Sequence, residues 1–250
     1  MRILLTNDDG IYSEGLISLY NELCEIAQVD VVAPDSERSS VGHGITLSRP
    51  IFYKEIFIDN KRIGYGTSGT PADCVKLAVH SLIPHKPDLV ISGINLGPND
   101  GCSVYYSGTV AGAREGALMG IPSMAFSLNT FVKPRFHWAV TQTIRIIQKM
   151  NFSEWPTHTF LNVNIPNVTD RQLKGITVTR QSEVPIHSQF IQRQGPASND
   201  YVWMTGSSPK VRKDLQMDTS ALAQNYITIT PIQCDTTDHA FLKKMRHWTL

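Results

Sequence analysis

The chain begins "RILLTNDDGIYSEGLISLYNELCEIAQVDVVAP", residues 2–34, a stretch that switches periodicity twice. Arg2 to Thr6 is a short apolar run. Leu16, Leu19, Tyr20, Leu23, Ile26 and Ala27 then recur at helical spacing, and "VDVVAP" (29–34) is a second apolar run. A strand, an amphipathic helix and another buried strand in this order predict a parallel sheet covered by helices, an α/β fold. At the mouth of the first strand stand Asp8 and Asp9, and no Lys or Arg follows until Arg38. Two adjacent carboxylates repel each other and are costly to desolvate, so the pattern asks for a compensating charge.

The alternation continues outward. "ITLSRPIFYKEIFIDNKRIGYG" (45–66) is β-rich with an Asp59-Asn60 turn and predicts a hairpin excursion. "TPADCVKLAVHSLI" (70–83) predicts a helix with Thr70 as N-cap, Pro71 at the first helical position and Asp73 closing a capping box. "PDLVISGIN" (87–95) is a buried strand, "GTVAGAREGALMG" (108–120) a helix ended by Gly120, "IPSMAFSL" (121–128) a strand, and Phe136 to Met150 a helix. Farther on, "FLNVNIP" (160–166), "GITVTRQ" (175–181) and "NYITITPI" (225–232) read as strands. Residues 182–224 are polar and irregular yet contain Phe190, Ile191, Tyr201, Val202 and Trp203, which suits an extended arm reaching a partner subunit.

Composition narrows the classes. The 250 residues are 41% hydrophobic and 18% charged with net charge +1, ordinary for a globular protein with a sizeable core. No basic stripe is present, so binding to a nucleic-acid polymer is not expected. No run approaches the roughly 20 apolar residues of a membrane span, and Met1 leads straight into strand residues rather than a signal peptide. The four cysteines form no CxxC pair, and Cys24 and Cys74 fall on apolar helix faces, so reduced thiols and a cytoplasmic location are expected.

In an open parallel sheet, ligands bind beyond the carboxyl ends of the strands. Three strands deliver polar, Gly-punctuated loops to that edge: Asn7-Asp8-Asp9-Gly10, "APDSERSSVGHG" with Ser39 and Ser40, and Asn95-Leu96-Gly97-Pro98-Asn99. Asp8-Asp9-Gly10 alone reads equally as an Asx turn before a helix. Beside Asn and Ser oxygens, with no clustered Cys or His, the pair suits a hard cation such as Mg²⁺ or Mn²⁺. Ser107, Gly108 and Thr109 stand where a helix begins, a place that favours an anion, although plain N-capping explains the same residues. His43 lies in the second of these loops, and a surface role is the better reading than catalysis.

With "ILLTNDDG" (3–10), "VVAPDSERSSVGHGITL" (31–47), "GTPADC" (69–74), "PDLVISGINLGPN" (87–99) and "VYYSGTVAGAREGALMGIPSMAFS" (104–127) in this order, the chain resembles the SurE family of stationary-phase survival proteins. The resemblance runs from residue 1 to about 130 and more loosely through "LNVNIP", "GITVTR", "SNDYVW" and "YITITPI". It implies a Rossmann-like domain over 1–130 and a C-terminal part, 131–250, whose β-rich extension is exchanged within a homodimer or homotetramer. It also implies one divalent metal ion per subunit on Asp8, Asp9, Ser39 and Asn95, with Asp8, Asp9 and Asn95 catalytic. Ser39, Ser107, Gly108 and Thr109 would hold the phosphate, and Asn7 would orient the substrate. The implied activity is metal-dependent hydrolysis of nucleoside 5′- and 3′-monophosphates, extending in some members to polyphosphate. Ser40 departs from the pattern, since many members carry Gly there.

The expected mechanism is attack by a metal-activated water, with Ser107, Thr109 and the helix N-terminus stabilising charge on the phosphoryl oxygens. A covalent aspartyl-phosphate is disfavoured because the acids are adjacent rather than spaced as DxD. Two other classes compete: a Mg²⁺-binding receiver-like phosphorylation switch, and a passive nucleotide-binding module. A receiver needs a phosphoacceptor Asp and a Lys at later strand ends, where this chain has Ser/Asn-rich loops.

Overall fold

The opening unit folds as its periodicity predicts: β1 (Arg2–Thr6), α1 (Glu14–Cys24) and β2 (Gln28–Pro34), with β1 and β2 parallel. The structure is a computed structural model and describes residues 1–183, 187–195, 200–207 and 214–248. There follow β3 (Tyr53–Ile58), β4 (Lys61–Thr67), α2 (Pro71–Leu77), β5 (Leu89–Leu96), α3 (Gly108–Leu118), β6 (Ser123–Asn129) and α4 (Phe136–Lys149). The remainder holds β7 (Thr159–Pro166), β8 (Gly175–Val178), β9 (His187–Gln194), β10 (Asp200–Ser207), α5 (Asp218–Ala223), β11 (Tyr226–Gln233) and α6 (His239–Met245).

Among the described residues, nine strands form one sheet in the order β3-β4-β2-β1-β5-β6-β7-β11-β8. Its pairs are parallel except β3 with β4 and β7 with β11, so the α/β architecture with a mostly parallel sheet stands. The sheet continues without interruption from β6 to β7, across residue 130. β1 lies in its middle, and side-chain alternation divides the core between the two faces. Ile3 and Leu5 pack beneath α1 and α4, whereas Leu4 joins Val32, Cys74, Val75 and Val90 beneath α2. Each of the fully buried Ile, Leu and Val side chains among them stabilises the fold by roughly 1.5–3 kcal/mol.

Several elements differ from the sequence reading for local reasons. Asp59 (φ 49°) and Asn60 (φ 60°) make the tight turn of the β3–β4 hairpin, but the hairpin is no excursion. β4 pairs parallel to β2 and so extends the main sheet, while residues 45–52 carry no strand. α2 passes into a π-helical turn, Ala78–Leu82, instead of continuing as one α-helix. Inside the segment expected to be irregular lie α5 and the antiparallel β9–β10 hairpin; residues 184–186, 196–199 and 208–213 of it are outside the described residues. On that hairpin Phe190, Ile191, Tyr201, Val202, Trp203 and Met204 are exposed. All four cysteines are free, Cys74 being fully buried, and no helix among the described residues is long and apolar enough to cross a membrane.

α3 lies unusually close to the sheet. A Cβ at Gly112 would approach Ser92 Oγ to 2.8 Å, and one at Gly116 would approach Ser123 Oγ to 2.4 Å. These two glycines let the helix settle onto β5 and β6, which brings its N-terminus against the end of β1.

Candidate active site

Where β1 ends, the chain turns. Asn7 is fully buried and its Nδ2 donates to the Gly10 carbonyl (3.0 Å) and to Ser13 Oγ (2.7 Å), tying the turn to the start of α1. Asn7 therefore braces the loop from behind. Asp8 follows, 4% exposed, with its carboxylate set against the N-terminus of α3. The Thr109 hydroxyl donates to Asp8 Oδ1, and the backbone N–H groups of Gly108 and Thr109 reach the same carboxylate. Residue 108 must be glycine: a Cβ there would sit 2.7 Å from Asp8 Cβ. Asp9 Oδ2 accepts from the Leu96 N–H at 3.1 Å, which joins the end of β1 to the end of β5.

The electrostatics are those of an uncompensated acidic pair. Burial pushes the Asp8 carboxyl above its ordinary value even though the Thr109 hydroxyl and nearby N–H groups oppose it. Burial, and then the charge of Asp8, push Asp9 up to about 6, with the Leu96 N–H opposing. Neither acid forms an ion pair with Lys, Arg or His among the described residues.

The loop after β2 is fastened to this corner. Arg38 N–H donates to the Asp8 carbonyl (2.7 Å) and Gly42 N–H to the Tyr106 carbonyl (2.8 Å). Ser39 Oγ donates to Glu37 Oε1 at 2.6 Å. Ser40, where the family pattern has Gly, adopts φ 59°, the left-handed region that glycine enters at least cost. His43 is a staple. Its Nε2 lies 2.7 Å from Glu115 Oε2, while Lys76 Nζ lies 2.6 Å from Glu115 Oε1. Burial alone would raise the Glu115 carboxyl, but His43 and Lys76 outweigh it and hold the group below its ordinary value. This cluster borders a separate hollow of about 460 Å³, so the surface reading of His43 becomes a structural one.

Asn95 is the penultimate residue of β5, whose register against β6 shifts between Ser92 and Asn95. Its Nδ2 donates to the Gly97 carbonyl at 2.8 Å, and its Oδ1 has no protein partner among the described residues. Asn99, 7% exposed, is pinned by a buried network: its N–H donates to Asn164 Oδ1 (2.7 Å), its Nδ2 to Ser127 Oγ (2.8 Å), and its carbonyl accepts from Asn162 Nδ2 (2.6 Å). Ser107 is the N-cap of α3, its Oγ accepting from Val110 N–H at 3.1 Å.

The result is a cavity of about 240 Å³ lined by Asp8, Ser39, Asn95, Asn99, Tyr106 and Ser107, among others. Asp9 lines an adjoining hollow of about 420 Å³ that shares Ser39, Leu96 and Phe131 with it. Of the residues expected from sequence, Asp8, Ser39, Asn95 and Ser107 share the first cavity and Asp9 the second. Asn7, Gly108 and Thr109 do not line either; the Thr109 hydroxyl is committed to Asp8. Asn99, Tyr106 and Phe131 were not singled out. The signal for Asn99 was available in "LNVNIP", whose inward asparagines have no place in a purely apolar strand.

The donor set fits a divalent cation. No three of His, Cys, Asp and Glu cluster among the described residues, so any such ion here would rely on the two carboxylates and the neutral oxygens of Ser39 and Asn95. That all-oxygen set suits Mg²⁺ or Mn²⁺. The pair, Asp8 buried and Asp9 half-buried, forms no ion pair among the described residues and supplies the field that would attract it.

Residues 3–188 match the family model described as "Survival protein SurE". The chain belongs to the SurE family. It is 41% identical over 245 residues to the 5′-nucleotidase SurE of Thermosipho melanesiensis, covering 98% of this chain and 96% of that protein. It is 42% identical over 251 residues to the 5′-nucleotidase SurE of Syntrophobacter fumaroxidans, covering 100% of both. The crystal structure of the SurE protein from Aquifex aeolicus has the same fold, with a TM-score of 0.86, 37% identity and 99% coverage of each chain. Likeness to these SurE proteins therefore spans the whole chain, including the C-terminal half where the motif resemblance was loose.

Proposed function

We propose that this chain is a divalent-metal-dependent phosphatase that hydrolyses nucleoside 5′- and 3′-monophosphates to nucleoside and phosphate, with polyphosphate as a further substrate. The observation that carries the reading is the uncompensated Asp8–Asp9 pair at the end of β1, with Asp8 against the N-terminus of α3 in one cavity and Asp9 in the hollow adjoining it. The name 5′-nucleotidase borne by its relatives supports the substrate class.

Asp8, Asp9, Ser39 and Asn95 would hold one Mg²⁺ or Mn²⁺ ion, which when bound supplies positive charge to a phosphoryl oxygen and lowers the pKa of a nearby water. Thr109, Gly108 and the Arg38 N–H fix Asp8 so that its carboxylate needs no rearrangement during reaction. Ser107 Oγ accepts from Val110 N–H, which leaves its own proton to donate to a phosphoryl oxygen in the cavity. Either carboxylate of the pair can take the proton of the attacking water. The exposed apolar side chains on the β9–β10 hairpin support a homodimer or homotetramer in which this hairpin meets another subunit. The free thiols support a cytoplasmic location.

The test is phosphate release from a panel of nucleoside 5′- and 3′-monophosphates and polyphosphate, with Mg²⁺, Mn²⁺ or EDTA. Activity should require metal and fall at least about 100-fold in Asp8→Asn and Asn95→Ala. Undiminished turnover in EDTA would overturn the metal site, and no turnover of any nucleotide would overturn the function. A single phosphoryl group taken up without repeated release would favour the receiver-like switch, and binding without release the passive module.

A further inference from the structure

We infer that Phe131 is the platform on which the nucleoside of the substrate stacks, an inference that rests on the nucleotidase reading and names how that site receives its base. Phe131 lies in the loop between β6 and α4, is 74% exposed, and forms part of the wall of both hollows. On one side are Asp8, Asn95 and Ser107; on the other are Asp9, Glu14, Glu37 and Phe136. A phosphate seated on the first side therefore leaves its ester substituent to pass Ser39 and Leu96 toward the ring.

The ring is built into place. A Cβ at Gly97 would come 2.4 Å from Phe131 Cε1, so the aromatic edge rests on bare backbone of the Asn95–Asn99 loop. Gly97 (φ +112°) permits both the turn and this approach. The loop bearing Phe131 is braced at both ends. Thr130 Oγ1 bonds the Val132 carbonyl (2.6 Å) and accepts from the Val132 N–H (3.2 Å). Farther along, Asn167 Oδ1 accepts from the Arg135 N–H (3.1 Å) and its Nδ2 donates to the Lys133 carbonyl (3.2 Å). A large, exposed aromatic face on a braced loop beside a polar cavity matches a purine or pyrimidine ring, which stacks with little regard to base identity.

The second hollow, about 420 Å³, has the right order of size for a nucleoside and carries the carboxylates Glu14 and Glu37. Carboxylates accept hydrogen bonds from sugar hydroxyls and exocyclic amines. The second hollow thus offers acceptors to a donor-rich ring system behind the reacting phosphate.

The experiment measures KM and kcat with the intact chain on adenosine 5′-monophosphate and on ribose 5-phosphate, for wild type, Phe131→Ala and Phe131→Trp. Phe131→Ala should raise KM for the nucleotide about 10- to 100-fold more than for ribose 5-phosphate, while Phe131→Trp retains the wild-type ratio. Equal changes on the two substrates, or no change on either, overturn the platform while leaving the nucleotidase reading intact. Failure of the wild type to release phosphate from either ester overturns both.

Discussion

α2 and α3 begin in nearly the same way, with a hydroxyl N-cap, a carboxylate and a glycine against which that carboxylate packs. At α2 the cap is Thr70, the acid is Asp73 and the glycine is Gly69, whose Cβ would lie 2.7 Å from Asp73 Cβ. At α3 the cap is Ser107, the acid is Asp8 and the glycine is Gly108, with the same 2.7 Å approach. The acids end up with opposite character. Burial would raise Asp73, but the Thr46 and Thr70 donors win and its carboxyl lies below the ordinary 3.8. Burial dominates at Asp8, where Thr109 and the α3 N–H groups fail to offset it, and its carboxyl lies above that value. One helix start has an acid whose donors outweigh its burial and serves structure; the other has an acid whose burial outweighs its donors, beside a second acid, which is the condition for attracting a cation.

The largest effect that separates the two should come from their glycines. Gly108→Ala forces the Asp8 carboxylate away from α3, and a displacement of that kind should lower nucleotide turnover about 100-fold. Gly69→Ala should cost about 1–3 kcal/mol in chemical denaturation by the same steric argument yet leave kcat of the folded fraction at the wild-type value. Equal losses of turnover in the two variants would remove the functional distinction.

Metal addition comes next. At 100 times its dissociation constant, Mg²⁺ or Mn²⁺ should stabilise the wild type by about 3 kcal/mol, read as a Tm increase of about 5–10 °C that EDTA reverses. Asp73→Asn should keep this increase and Asp8→Asn should lose it.

A smaller effect tests the sign at α2. Because the folded pKa of Asp73 lies below 3.8, its ionised form stabilises the protein above that pH, and the contribution disappears as pH falls through the folded value. Asp73→Asn should therefore cost about 1 kcal/mol in urea denaturation at pH 7, and the difference from wild type should shrink below pH 3.8. The smallest effect is expected at Ser40, held at φ 59° in the loop that carries Ser39. Ser40→Gly relieves the left-handed strain at the cost of a freer unfolded chain, and a net gain of about 0.5 kcal/mol should be measurable by thermal denaturation.

What could be read before folding was whatever is encoded within a few residues. The β1–α1–β2 unit, the Thr70–Asp73 box and the Asp59-Asn60 turn all depend on neighbours along the chain, and the structure contains each of them. The three strand ends also converge as their loops suggested, so Asp8, Ser39, Asn95 and Ser107 share one cavity. The register of β4 beside β2 and the π-helical end of α2 were not legible, because the first is settled by pairing with a distant strand and the second by competition between near-equal hydrogen-bond patterns. Within the site, the contact from Thr109 to Asp8 spans 101 residues, and the bond that pins Asn99 to Asn164 spans 65. No local pattern announces such partners.

Sequence by itself determined that two carboxylates would close the first strand, that a serine would cap α3 and that oxygen donors would gather at one sheet edge. Only the tertiary structure decided the state of those carboxylates. Asp73 takes backbone donors from Thr70, three residues away, and from Thr46, 27 residues away, whereas Asp8 is enclosed by the start of α3, and its desolvation comes from that enclosure. Hydrogen-bonding capacity is written residue by residue, but exclusion of water is a property of the assembled fold.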